Sequence, residues 1–89
     1  MIVKMYAVLD SASGIYDGPV PAHTDGVAMR NFTNLAENPD SKIGMNPEHF
    51  SLWYVGSWND ATGNVIPAEP IVCLAKAVDV IGPKEMEIN

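Results

Sequence analysis

Phe50-Ser51-Leu52-Trp53-Tyr54-Val55-Gly56-Ser57-Trp58, followed at once by Asn59-Asp60-Ala61-Thr62-Gly63-Asn64, joins a strongly β-forming aromatic run to a tight turn. Aromatic and β-branched residues suit a pleated, half-buried surface, and Asp60-Ala61-Thr62-Gly63 fits a type I turn with glycine in the left-handed position. The stretch therefore predicts a hairpin that continues into Asn64-Val65-Ile66. Within its first arm Phe50, Leu52, Tyr54 and Trp58 share one parity, more apolar than that of Ser51, Trp53, Val55 and Ser57, and are expected to face the core. That leaves Trp53 on the opposite side.

Beyond the hairpin, Pro67 and Pro70 are expected to interrupt the returning strand, and Ile71 to Val78 resumes it as a nearly continuous apolar run with small residues at its odd positions. At the other end of the chain, Ile2 to Asp10 alternates, with Val3, Met5, Ala7 and Leu9 on the face expected to meet the core. Ser11-Ala12-Ser13-Gly14 can reverse the chain into Ile15-Tyr16-Asp17-Gly18, and Pro19 and Pro21 confine Val20 and its neighbours to an edge strand or extended connection. Thr24 or Asp25 can cap a helix over about 25–37, whose apolar positions Ala28, Phe32, Leu35 and Ala36 recur at helical spacing until Asn38-Pro39 stops it. The next connection is expected at the surface, ending in a single turn at Asn46-Pro47-Glu48-His49. The architecture predicted is α+β: an antiparallel sheet of about four strands with one helix packed on one face. One domain over residues 1–81 and a loose tail at 82–89 are expected from the absence of any repeat or linker.

Composition narrows the function classes. The 89 residues are 47% hydrophobic and 18% charged, a globular mixture. The net charge of −6 sets eleven carboxylates against Lys4, Arg30, Lys42, Lys76 and Lys84, which are dispersed along the chain. Nucleic-acid affinity rests on Lys and Arg displacing phosphate counterions, so direct DNA binding is disfavoured. Met1 to Met5 enters a strand with no basic or long apolar leader, so no signal peptide is expected, and no apolar run approaches bilayer-spanning length. The lone Cys73, between Val72 and Leu74, reads as a small core hydrophobe in a soluble protein of a reducing compartment.

Catalytic chemistry is hard to find. His23 and His49 have no second His or Cys at zinc-ligand spacing, and Asp10-Ser11-Ala12-Ser13-Gly14 fails the calcium-loop pattern at its third and fifth places. Cys73 lacks the cationic setting that stabilises thiolate, and there is no glycine-rich phosphate cradle. The expectation is a protein that is not an enzyme, with no metal and no cofactor. Trp53 has three open readings: packing, a protein interface, or a stacking platform for single-stranded nucleic acid. Arg30 reads as a solvated helix residue or a partner contact. The candidate partner-binding residues are Trp53, Arg30, Tyr6 and Lys4.

Four blocks also carry a resemblance: Met5-Tyr6-Ala7-Val8-Leu9-Asp10, Thr24 to Phe32, Pro47 to Trp58, and Leu74-Ala75-Lys76-Ala77, in that order. Together they resemble the small non-structural protein of gokushoviruses, single-stranded-DNA bacteriophages of the microvirus group (Microviridae). The pattern departs from the family at Val65–Pro70. The resemblance implies an early, non-capsid protein of the host bacterial cytoplasm, acting in viral DNA replication or in the switch to single-strand synthesis and packaging. Its expected partners are phage replication or procapsid proteins, or a second copy in a homo-oligomer. Single-stranded DNA is the alternative, and it requires Lys4, Arg30 and Lys76 to cluster beside Trp53 or Tyr6.

Overall fold

The computed structural model describes residues 1–81. It is an α+β fold built on one antiparallel sheet of four strands: β1 (Ile2–Asp10), β2 (Ile15–Ala22), β3 (Phe50–Asn59) and β4 (Val65–Lys76), in the spatial order β2-β1-β3-β4. Helix α1 (Asp25–Glu37) links β2 to a short helix α2 (Lys42–Met45), a 3-10 turn (Pro47–His49) leads into β3, and α3 (Ala77–Ile81) follows β4. The tail expected over residues 82–89 lies outside the described residues.

Helix α1 occupies the span its periodicity predicts. The Thr24 hydroxyl accepts from the Val27 N–H at 3.2 Å and Asp25 lies in the first turn, where the helix dipole favours a negative charge. Ala28, Phe32 and Ala36 recur every fourth residue and are buried, whereas Leu35 is 46% exposed. These three residues share one core cluster with Tyr6, Ile43, Phe50, Leu52 and Ala77. Ser41 builds α2: its hydroxyl accepts from the Gly44 N–H at 2.9 Å and donates to the Leu35 carbonyl at 2.5 Å. The segment expected as a surface connection thus contributes Ile43 to the core.

Several strand expectations are corrected. The core face of β1 is the even one. Tyr6 is fully buried and Val8 packs on the cluster, while on the other face Ala7 is buried as expected but lies outside that cluster, and Val3, Met5 and Leu9 are half-buried. Both faces of β1 are apolar, so alternation alone does not choose; Tyr6 decides, because it is the strand's one aromatic ring and its hydroxyl reaches Asp25 at the start of α1. Phe50, Leu52 and Tyr54 join the core as expected, but Trp58 is 40% exposed. The β1–β3 register shifts between Met5 and Tyr6, leaving Val55 as an extra residue, so Trp58 falls in a row with Val3 and Val65. A one-residue bulge exchanges the two faces of everything beyond it.

Pro67 and Pro70 do not end β4. They fall in and beside a long irregularity: Tyr54 pairs with Val72 and Gly56 with Pro67, so residues 68–71 loop out opposite Val55. Both prolines sit in an edge strand, as do Pro19 and Pro21 in β2, where a missing ladder donor is tolerated. The final strand stops at Lys76 rather than Val78, and Ala77, fully buried, starts α3. Cys73 is exposed, not a core residue, because it pairs with Trp53 on the face away from the Tyr6 cluster. The β3–β4 turn closes as the sequence predicts, with Gly63 at φ +81 and its N–H on the Asn59 carbonyl at 2.7 Å.

Candidate functional site

The pairing register assembles one face of the sheet residue by residue. Antiparallel partners project to the same side, which gives four rows: Val3–Trp58–Val65, Met5–Gly56–Pro67, Ala7–Trp53–Cys73 and Leu9–Ser51–Lys76, with Tyr16 beside Leu9. The rings on this face touch, since Tyr16 meets Trp53 edge-on with centroids 6.1 Å apart. The Trp53 Nε1–H donates to the Ser51 hydroxyl at 2.8 Å, so the indole spends its one donor within its own strand. What remains outward is apolar ring surface. Tyr16 is 43% and Val65 63% exposed, and Cys73 is exposed as well. Among the described residues of these rows Lys76 alone carries charge.

Gly56 sets how β4 approaches this face. A methyl group there would lie 2.5 Å from the Ile66 carbonyl oxygen and 3.1 Å from the Pro67 Cα, at φ +154. The close crossing brings the β4 edge against the bulge at Val55.

Of the four residues singled out from sequence, Tyr6 and Lys4 meet at Asp25, while Trp53 and Arg30 lie apart from them. Trp53 is half-buried in the rows above. Tyr6 is fully buried on the opposite face, with its hydroxyl donating to Asp25 at 2.5 Å. Burial first, and then the hydrogen bond to the Asp25 carboxylate, push its phenol well above the ordinary range. Its ring thus belongs to the core. Lys4 lies on the Tyr6 side, 3.8 Å from the Asp25 carboxylate. Arg30 is exposed on α1, with no ion pair among the described residues. Lys42 pairs with Asp17 at 3.6 Å. The cations are thus scattered, with Lys4 and Trp53 on opposite faces.

Two further features were not read from sequence. A groove of about 600 Å³ between β2 and α1–α2 is lined by Val8, Ile15, Val20, Leu35 and Phe50 and crossed by the Lys42–Asp17 pair. A smaller cleft holds Glu48, His49, Ser51 and Lys76 at the end of β3. No group of three or more His, Cys, Asp or Glu gathers among the described residues, and none of their helices is long and apolar enough to cross a membrane.

A small sheet with an aromatic face and dispersed charges defines a class only broadly; the family comparison is more specific. The model of the Phage ORF5 protein family matches residues 3–80, so the chain belongs to that family and is a phage protein. Neither the curated proteins nor the solved structures give a match.

Proposed function

We propose that this phage protein is a non-enzymatic adaptor of the gokushovirus type, working in the host bacterial cytoplasm through protein–protein contacts in viral DNA replication or the switch to single-strand synthesis and packaging. Ala28, Phe32 and Ala36 of α1 share a core cluster with Tyr6, Phe50 and Leu52, and we read the Trp53 face as the one that meets a partner. The observation that carries this reading is the composition of that second face. Trp53, Trp58, Tyr16, Leu9 and Val3 form a contiguous aromatic and aliphatic surface whose one indole donor near the centre is already satisfied. Interfaces are enriched in such residues and depleted of charge at their cores.

The alternative, a single-stranded-DNA platform, would use the same rings for stacking at about 1–3 kcal/mol per base. It calls for a basic frame around them; Lys76 lies on that face, but Lys4 lies on the opposite one beside Asp25 and Arg30 is exposed on α1, a dispersal that favours the protein reading. Affinity capture from infected cells tests this. The tagged chain should retain phage replication or procapsid proteins identified by mass spectrometry; Trp53→Ala should lose them and Arg30→Ala should keep them. Equal retention by all three chains would refute the assignment of the face. Salt-sensitive capture of oligonucleotides would favour the alternative.

A further inference from the structure

Resting on the reading of the Trp53 face as a protein-contact surface, we propose that, until a phage partner displaces it, the occupant of that face is a second copy of this chain, packed face to face into a sheet sandwich.

Charge is the first reason. Each copy carries −6, so self-association through a typical surface brings carboxylates together. The four rows of the Trp53 face hold no carboxylate among the described residues, and Lys76 stands at one end. Two copies meet there without like charges at the centre, and a strongly basic partner would find nothing to pair with. Here self-recognition suits the surface better than charge-driven recognition of another macromolecule.

The second reason is that the other route to self-assembly is obstructed. Open sheet edges recruit further strands, yet β2 carries Pro19 and Pro21 and β4 carries Pro67 and Pro70. Both edges also break register, between Tyr6 and Val8 on one side and between Tyr54 and Gly56 on the other. Prolines and bulges are the usual protection against edge pairing. Strand-to-strand contact is thereby limited to the short proline-free stretches of each edge, and the face offers the larger continuous surface.

Area is the third. Four strands about 4.8 Å apart and a nine-residue β1 rising about 3.4 Å per residue give a face of roughly 600 Å² per copy. Stable interfaces take about 600–1,000 Å² from each partner. Because the same patch serves both sides, the contact is isologous and closes at two copies.

Sedimentation velocity of the purified full chain across a wide concentration range tests this. The expected result is a monomer–dimer equilibrium that high salt does not weaken. Val65→Glu, at an exposed position on the face, should raise the dimer dissociation constant at least about tenfold. Leu35→Glu, exposed away from the face on α1, should leave it unchanged and controls for added charge. A chain monomeric at every concentration overturns the pairing. If that monomer still loses phage-protein capture on Trp53→Ala, the contact surface stands and only its occupant is wrong; if it captures nothing, both readings fall. A dimer equally indifferent to Val65→Glu and Leu35→Glu also overturns the proposal, since it forms elsewhere.

Discussion

Replacing Tyr6 by Phe removes one hydroxyl from the margin of the core and leaves the packing of the buried ring in place. That hydroxyl donates to Asp25 at 2.5 Å and ties β1 to the first turn of α1. A hydrogen bond to a charged group contributes about 1.5–3 kcal/mol net. The Asp25 side chain is 50% exposed and keeps Lys4 at 3.8 Å, so water and the ammonium take over part of the lost interaction. The loss should therefore fall near the lower limit, about 1–1.5 kcal/mol, equivalent to a melting temperature lower by about 5–10 °C for a domain of this size. The pH dependence supplies a second reading. Because the folded phenol holds its proton more tightly than the unfolded one, its stabilisation is intact below about pH 10 and declines as pH rises above that value. Thermal unfolding followed by circular dichroism should show a gap between wild type and Tyr6→Phe that is constant from neutral to mildly alkaline pH and then narrows. Equal melting temperatures at neutral pH, or a gap that widens in alkali, would refute the role assigned to this hydroxyl.

Other perturbations act through packing and exposure. Phe32→Ala empties the centre of the α1 contact and should cost about 3–5 kcal/mol, enough to unfold much of the population in a chemical denaturation experiment. Gly56→Ala places a methyl against the Ile66 carbonyl and should lower stability by about 1–3 kcal/mol, with amide exchange accelerated first along β4. Thr24→Ala removes the α1 cap and should cost about 1 kcal/mol, whereas Thr24→Ser should retain most of it in the same assay. Cys73 should react with a thiol reagent in the native state, and more slowly as protein concentration rises, since it lies in the Trp53 row.

The fold was legible where one local signal dominated. The α1 boundaries followed from Thr24, the Ala28–Phe32–Ala36 spacing and Asn38-Pro39, and the β3–β4 turn from Asp60 to Gly63. Sequence reasoning failed where two faces were equally apolar or where one residue changed the register. The alternation in β1 offers two plausible core faces, and the choice rests on a tertiary bond between Tyr6 and Asp25 that no periodicity encodes. The bulge at Val55 has no signature beyond Gly56, yet it moves Trp58 from the expected core to the exposed face. Cys73 was misplaced for a related reason, because an apolar run does not say which of its residues lie under a helix. Of the candidate contacts, Trp53 could be singled out because it alone among large residues fell off the apolar parity of its strand; Trp58, Tyr16 and Val65 joined it through pairings distant in sequence.

Trp53 and Trp58 are the chain's two tryptophans and both lie on the face proposed for contact, so fluorescence excited selectively at tryptophan reports on that face. The most direct measurement is the emission maximum of the purified full chain from sub-micromolar to high micromolar concentration, at low and high salt. A face buried against a second copy predicts a shift to shorter wavelength as concentration rises, undiminished by salt. Emission indifferent to protein concentration, yet quenched by short single-stranded oligonucleotides in a way that salt reverses, would contradict it.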